Sequence, residues 1–489
     1  MEALDLARWQ FGVTTVYHFI LVPLTIGLAP LVAVMQTKWL RSGEEKWLRL
    51  TEFFGKIFII NFALGVATGI VQEFQFGMNW SEYARFTGDI FGAPLAFEAL
   101  LAFFLESTFI GLWIFGKGRM SAKVNTLCIW LAAIGVNVSA YFIIAANSFM
   151  QHPVGAKFNE ATGRLELDGI GGFIEVLTNN TLFAAFSHVV TSSFLVAGTL
   201  IAGLATWWMV RSARRGDPAE HTHVWRDGAR FGYITMLISG ILVIITGHIQ
   251  GQIMYEQQPM KMASAEAQAY TEEGAALSIL AIGDFSNDPE NVKRIIDLPN
   301  ITSFMATNHF SGPESEVAGI IDTQKEMEEK YGADTDYRPN LFITYYTFRA
   351  MIGLGVFSAV LSIAGLIATR GGKVWKSKGW GKFALFAIPT PFLAASFGWI
   401  FTEMGRQPWV VAPNPTSEVD RVYMLTDYGV SQVVDTFSVF ASLVIFTLLY
   451  AALGVVWYRL LVRYTKEGID FEKKAHAPSD ENQPLSFVY

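Results

Sequence analysis

Long stretches of mainly apolar residues dominate the hydrophobic pattern of the chain. Nine of them can be distinguished, near residues 11–36, 52–74, 92–116, 124–147, 181–210, 230–248, 341–369, 382–403 and 431–462. About 20 apolar residues cross a bilayer as a helix, because the hydrocarbon offers no water to pair with backbone polar groups. The pattern therefore predicts an all-α, polytopic membrane bundle with nine transmembrane helices.

The first apolar stretch differs from a secretory signal peptide. Glu2 and Asp5 precede it together with a single basic residue, Arg8, so a basic leading region is missing. The stretch is also longer than the apolar part of a signal peptide. It is predicted to be an uncleaved spanning helix.

Basic residues concentrate in the loops of one parity. The loops after the first, third, fifth and seventh stretches hold 17 lysines and arginines, and the short loops of the other parity hold 5. Cytoplasmic loops carry the excess of positive charge. We therefore expect the N-terminus outside and the C-terminus inside.

One hydrophilic segment, residues 249–340, interrupts the series of apolar stretches. The interpretation of the chain is six helices in 1–248, an outer loop in 249–340, three helices in 341–465 and a cytoplasmic tail in 466–489. A helix is predicted near Asp322–Lys330. A segment this long without a function would be unusual, so we expect it to carry one.

The composition supports a membrane protein and excludes several classes of site. The chain has 489 residues, 52% of them hydrophobic and 16% charged, against about 25% charged residues in soluble domains. A net charge of −7 without a basic patch argues against nucleic-acid binding. Cys128 is the only cysteine, which excludes an intrachain disulfide, a cysteine-based metal site and a covalently attached haem.

Ionisable side chains inside the apolar stretches are candidate functional residues, because a charge in hydrocarbon costs several kcal/mol. They are His18, Glu98, Glu106, His188, Arg349 and Glu403. Counted along their helices, His18, Glu98, His188, Glu403 and the thioether of Met351 all fall in the outer half of the membrane.

Convergence of these side chains at one depth favours haem over other metal centres. Zinc takes four close ligands and calcium several oxygens, whereas haem needs only one or two axial ligands. Each residue also has a simpler interpretation: a histidine can be a hydrogen-bonded packing residue, Met351 can be core, and Glu403 can pair with Arg406. Of the eight histidines only His18 and His188 lie well inside the stretches, too few for a haem–copper oxidase, which needs about six.

Several segments resemble subunit I of the cytochrome bd quinol oxidase family. They are VYHFILVPLT (16–25), FGKIFIINFALGVATGIVQEFQFGMNWSEY (54–83), GDIFGAPLAFEALLAFFLESTFIGL (88–112), FSHVVTSSF (186–194), FRAMIG (348–353) and GWIFTEMGRQPW (398–409). In the outer loop the resemblance rests mainly on KMASAE (261–266). The outer loop has about 90 residues, which is typical of the short-loop branch.

The resemblance implies roles for the candidate haem ligands. His188 and Met351 correspond to the axial pair of a low-spin haem b, with Arg349 beside it. Glu403 corresponds to the ligand of a high-spin haem b, and His18 to that of haem d or of a third b-type haem. Arg406 is a candidate partner of haem propionates.

The resemblance also implies a proton path and a quinol site. Glu98, Glu106, Ser107 and Ser139 correspond to residues that deliver protons to the oxygen site. Glu98 and Glu106 are eight residues apart, about 12 Å along an α-helix and within about 80° around it. Lys261 and Glu266 correspond to residues of the quinol-oxidising loop.

A protein with these features would oxidise quinol outside and reduce O2 with protons from inside, generating a protonmotive force without pumping. The family works in the bacterial plasma membrane with a second large membrane subunit, and often with a small single-span accessory subunit. Two alternatives remain: a cyanide-insensitive variant with only b haems, and a proton-coupled secondary transporter. The transporter predicts inverted repeats and broken helices, which the sequence does not show. Ubiquinol and menaquinol are not distinguished.

Overall fold

The computed structural model describes residues 2–286, 288–415 and 421–472. Within these residues nine helical segments are long and apolar enough to cross a membrane, which confirms the predicted helical membrane bundle. Most extend several residues beyond the predicted apolar stretches, because the polar turns at their ends stay helical. The first six spans are formed by α1 (Ala3–Ser42), α2 (Glu45–Gly77), α4 and α5 (Gly88–Phe97 and Phe104–Phe115), α6 (Ala122–Gln151), α8 (Asn180–Arg215) and α9 (Ala219–Gln257), with the short helices α3 (Ser81–Phe86) and α7 (Gly169–Leu177) between them.

The remaining three spans follow the segment 249–340. They are α13 (Leu341–Ala368), the pair α14 (Lys378–Ala387) and α15 (Pro389–Met404), and α17 (Thr436–Glu467), with α16 (Thr426–Gly429) before the last. Pro389 begins α15, so the eighth span is two consecutive helices rather than one. Asn340 and Asp435 cap the N-termini of α13 and α17 through their side-chain oxygens.

The third span contains a π-helix, Glu98–Phe103, between α4 and α5. Hydropathy cannot detect such a segment, since it depends on the hydrogen-bond register. The α-helical angle that the sequence gives for Glu98 and Glu106 does not hold, because the π-helix lies between them. π-Helical turns occur frequently at functional sites.

Small residues let the central helices approach closely. A Cβ atom on residue 232 of α9 would lie 2.8 Å from the Cα atom of Ala202 in α8, so this position admits only glycine. Gly198 faces the same contact from α8. Such small-residue seams are how membrane helices pack without a hydrophobic driving force. The spans with α1 and α8 are the most deeply buried of the described spans, and α8 with α9 and α1 with α2 are the most extensively packed pairs.

The segment 249–340 is folded rather than irregular. The helix α9 continues to Gln257 and is followed by α10 (Pro259–Glu266), α11 (Ile301–Thr307) and α12 (Ile320–Tyr331). The predicted helix Asp322–Lys330 is confirmed within α12. Strands β3 (Glu272–Glu273) and β6 (Glu316–Val317) pair, as do β4 (Leu277–Gly283) and β5 (Val292–Leu298), where Leu277 lies opposite Leu298.

Two further antiparallel pairs cover the bundle. Strands β1 (Ala156–Asn159) and β2 (Arg164–Leu167) form a hairpin between α6 and α7, and β7 (Trp409–Val411) pairs with β8 (Met424–Leu425). Of the predicted tail 466–489, residues up to 472 belong to the described part. There Arg49 donates a hydrogen bond of 2.9 Å to the carbonyl of Asp470. Residues 473–489 lie outside the described residues.

Candidate haem and quinol sites

His18 lies on α1 and faces α2. Its Nδ1 atom is 2.7 Å from the hydroxyl oxygen of Thr68. Gly69, the next residue of α2, leaves room for the ring: a Cβ atom there would lie 3.2 Å from Cε1 of His18. The other ring nitrogen, Nε2, has no hydrogen bond to any described residue that the structure gives. The side chain can therefore offer Nε2 to an iron.

His188 lies on α8 and faces α9, just as His18 lies on α1 and faces α2. Its Nδ1 atom is 3.1 Å from the hydroxyl oxygen of Thr246. A Cβ atom on Gly247 would lie 3.2 Å from Cε1 of His188. This histidine also presents Nε2 without a hydrogen bond to the described residues.

Met351 on α13 packs against an apolar cluster formed by Ala265, Phe348 and Phe401, which Met254 and Met305 also contact. A Cβ atom on Gly398 of α15 would lie 2.9 Å from the Met351 sulfur. Glycine thus leaves space beside a third candidate ligand. The donor set, two imidazoles and a thioether on separate helices and each beside a glycine, fits the axial ligands of haem.

Arg349 lies about two turns from the start of α13 and binds the segment 249–340. Its guanidinium donates to the Glu266 carboxylate, with Nη2 2.5 Å from Oε2, and through Nε to the Ser278 carbonyl at 2.7 Å. The Tyr345 ring lies beneath it at 4.0 Å. The candidate arginine of the low-spin haem is therefore also the direct partner of the candidate quinol base.

Glu266 is fully buried. Burial raises the pKa of its carboxyl, while Arg349 and the Ser278 N–H pull in the opposite direction. The second carboxylate oxygen, Oε1, is buried without a hydrogen-bond partner among the described residues. Its capacity to accept a hydrogen bond is therefore unused among the described residues.

Lys261 lies on the same short helix, α10, but binds different groups. Its Nζ donates to the Gln151 side-chain oxygen at 3.0 Å and to the Thr402 carbonyl at 2.9 Å. Burial lowers the pKa of the Lys261 ammonium to about 7. The structure thus directs Lys261 towards the Glu403 region and Glu266 towards Arg349, although the sequence grouped them as one site.

Glu403, near the end of α15, is held from two sides. Arg406 donates to its Oε2 atom, and Asn147 of α6 donates to Oε1 at 2.8 Å. Arg406 also donates to the carbonyls of Trp409 and Val410. The simpler interpretation of Glu403, an ion pair with Arg406, is therefore present in the structure. A carboxylate held in this way still has further lone pairs that could bind a metal. Separately, the Arg406 Nε is buried without a partner among the described residues.

The proposed proton-path residues are brought together only in part. Ser139 of α6 donates to Glu98 at 2.7 Å, at the start of the π-helix. Glu106 is buried, and Gly135 of α6 packs against it. The Ser107 hydroxyl bonds to its own helix, at the Phe104 carbonyl, and not to a member of the path.

Sequence reasoning missed the residues that hold the candidate ligands: Thr68, Thr246, Asn147 and Gln151. Thr68 and Thr246 share one feature in the sequence, because each is followed by glycine. Asn147 and Gln151 are four residues apart and share one face of α6. Within the described ranges no group of three or more His, Cys, Asp or Glu side chains could hold a metal ion.

Comparison with known proteins decides the family. The model of cytochrome bd terminal oxidase subunit I matches residues 6–469. The chain belongs to this family. As a cytochrome bd subunit I it is 39% identical to cytochrome bd ubiquinol oxidase subunit 1 of Bacillus subtilis (strain 168), over 100% of this chain and 99% of the relative.

Two further matches extend over nearly the whole subunit. It is 32% identical to cytochrome bd-II ubiquinol oxidase subunit 1 of Escherichia coli (strain K12), over 96% of this chain and 97% of that protein. The structure of the bd oxidase from Geobacillus thermodenitrificans is similar with a TM-score of 0.81 and 26% identity, covering 95% of this chain and 99% of that one. The nine-span fold is therefore that of a bd oxidase.

Proposed function

We propose that this chain is the haem-bearing subunit of a quinol:O2 oxidoreductase in the bacterial plasma membrane. The observation that carries the proposal is the family match over residues 6–469, which includes every candidate ligand. Relatives are named as ubiquinol oxidases, and one B. subtilis protein, 28% identical, as a putative menaquinol oxidase. The substrate class is thus a quinol, and its head group stays open.

The ligand assignment is the one that the resemblance to the family implies, and the donor chemistry of the site is compatible with it. His188 and Met351 would hold a low-spin haem b, Glu403 a high-spin haem b, and His18 haem d or a third b-type haem. When bound, these groups supply one-electron carriers between quinol and oxygen. The chain's own part is to present single lone pairs from separate helices, with glycines providing space at His18, His188 and Met351.

In this proposal quinol is oxidised beside α10 and the first turns of α13. Glu266 accepts a quinol proton at Oε1, the buried oxygen that has no partner. Arg349 holds the other oxygen and keeps the carboxylate oriented. Lys261, which bonds to Gln151 and Thr402, fixes α10 against α6 and α15 rather than binding the same quinol oxygen as Glu266.

Protons for oxygen reduction come from the inner side in this proposal. Glu106 and Ser107 lie on α5 below Glu98, and the Glu98–Ser139 hydrogen bond lies at the end of the path. The excess of basic residues in one set of loops supports this orientation. Separation of the two proton reactions across the membrane gives a protonmotive force without pumping. The family implies a second large membrane subunit as partner; a small accessory subunit is part of the proposal.

The dithionite-reduced minus oxidised spectrum of the purified complex tests the function. We expect b-type haem bands, together with a red-region band if the third group is haem d and without it in the variant with b haems only. His188→Ala is expected to remove the low-spin component, whereas the control His248→Ala, at a histidine bonded to Asn308, leaves the spectrum intact. A colourless complex contradicts the proposal and favours a transporter.

The pH dependence of quinol turnover tests Glu266 as the base. The carboxyl must be deprotonated to accept a proton, and burial raises its pKa. Turnover should therefore fall as the pH decreases through this raised pKa, above the 4.5 of a free glutamate. Glu266→Gln is expected to slow turnover about 10² to 10⁴-fold, to remove this acidic limb and to leave all haem bands in place.

The exposed Glu273 of the same segment supplies the control for this variant. Glu273→Gln should keep both the rate and the pH profile. Loss of haem bands in Glu266→Gln would mean that the carboxylate is structural instead.

A further inference from the structure

The two candidate histidine ligands share one local arrangement. Each imidazole contacts a threonine hydroxyl through Nδ1 and lies against the glycine that follows the threonine in the chain, nearest through Cε1. Thr68 and Gly69 lie on α2 and serve the histidine of α1. Thr246 and Gly247 lie on α9 and serve the histidine of α8. The two occurrences are in different helix pairs and are therefore independent.

The direction of these hydrogen bonds follows from the proton count of the hydroxyl, which has one hydrogen and two lone pairs. Thr68 Oγ1 donates its hydrogen to its own helix, to the Leu64 carbonyl at 3.0 Å and the Gly65 carbonyl at 3.0 Å. Thr246 Oγ1 does the same to the Leu242 carbonyl at 2.8 Å. Thr246 Oγ1 is also 3.2 Å from the Thr191 hydroxyl oxygen. With its one hydrogen used within its own helix pair in this way, each hydroxyl is left to accept from the histidine.

Acceptance by threonine determines which ring nitrogen carries the proton. If Nδ1–H donates to the hydroxyl, Nε2 of the neutral ring has no hydrogen and keeps a free lone pair. A metal-bound histidine needs this tautomer, and a hydrogen bond from its other nitrogen fixes the tautomer and the ring orientation.

Glycine adds a steric restraint to the same ring. A Cβ atom at 3.2 Å from Cε1, as alanine would place it in either position, is closer than ordinary van der Waals contact. The ring would have to tilt away from the neighbouring helix. The threonine hydroxyl at Nδ1 and the glycine at Cε1 therefore both restrict the orientation of the imidazole ring.

We propose that Thr68 and Thr246 are positioning residues, each of which, with the following glycine, orients one histidine of the adjacent helix so that Nε2 is presented to a haem iron. The proposal rests on the haem-ligating function proposed above for His18 and His188. It adds that the two sites use the same device, although the groups they hold differ in role.

Substitution of each threonine in the assembled complex tests the proposal. Valine keeps the shape of threonine but cannot accept a hydrogen bond, whereas serine keeps the hydroxyl. We expect Thr246→Val to release the low-spin haem to excess apomyoglobin about 10 to 100-fold faster, as for other lost outer partners of metal ligands, and to alter the low-spin electron paramagnetic resonance signal. Thr68→Val should have the same effect on the oxygen-side haem alone, and both serine variants should stay close to the parent protein.

Thr199→Val is the matched control. The Thr199 hydroxyl donates to the Leu195 carbonyl at 2.7 Å on α8 and has no histidine as partner, so haem release should not change. Equal behaviour of the valine and serine variants would overturn the proposal, because the hydroxyl would then have no role. If His188→Ala keeps its haem and the threonine variants do not change haem release, the assignment of His188 as a ligand is wrong. If His188→Ala loses its haem but the threonine variants do not change haem release, only the positioning role is wrong.

Discussion

Replacing Met351 with leucine is expected to abolish the low-spin haem b spectrum and to slow quinol oxidation at least about tenfold. Leucine is close to methionine in volume, so the packing against Phe348 and Phe401 is largely kept. The thioether lone pair is lost, however, and a Met/His pair is what raises the reduction potential of a haem. The measurement is a redox-titrated difference spectrum together with quinol-driven oxygen consumption.

Oxygen-side chemistry should survive this change in part. Binding of carbon monoxide to the reduced complex reports on that side, and we expect it to persist in Met351→Leu. Met305 contacts the same apolar cluster, so Met305→Leu is the control and should keep the low-spin spectrum. An unchanged low-spin spectrum in Met351→Leu would show that the sulfur is a packing atom only.

Replacing Arg406 with methionine is expected to give the largest loss of stability, about 3 kcal/mol. Its side chain is 2% exposed and its partner Glu403 21% exposed. Removal of the guanidinium leaves a carboxylate in an apolar setting with Asn147 as the main remaining donor. It also removes hydrogen bonds to the Trp409 and Val410 carbonyls. A lower unfolding midpoint of the purified complex is the measurement.

An exposed ion pair with the same spacing supplies the control. Arg85 and Glu82 are also three residues apart, 3.4 Å between Nη1 and Oε2, with the arginine side chain 58% exposed. Exposed pairs contribute about 0–1 kcal/mol, so Arg85→Met should hardly change the midpoint. If both variants behave alike, the pair at Glu403 is as weak as a surface pair.

Hydropathy predicted the architecture because burial in a bilayer imposes a simple rule on the sequence. Every spanning segment must satisfy its backbone internally, so apolar length alone identifies it. One of the three helices in the segment 249–340 was also predicted, since Asp322–Lys330 has a helical pattern, whereas α10 and α11 were not. The ends of the helices could not be predicted from hydropathy, because α1 and α9 continue as polar helix well beyond their apolar stretches.

The site was predictable in its residue types and not in its contacts. An ionisable group inside a span is conspicuous, and so His18, His188 and Glu403 could be selected. The hydrogen-bond partner of each side chain depends on how the helices are rotated and packed. The pattern of residues along the chain does not reveal this. The π-helix at Glu98 also depends on the three-dimensional packing, as does the fact that Lys261 and Glu266 bind different partners.

The helix α10 has a consequence for how the outer segment can vary in length. Lys261 and Glu266 are five residues apart, about 140° around the axis, and each is anchored to a different transmembrane helix. One inserted residue between them would rotate one anchor by about 100° and shift it by about 1.5 Å, breaking the attachment on that side. An insertion that lengthens the segment 249–340 would therefore keep both attachments only if it lay outside the stretch from Lys261 to Glu266.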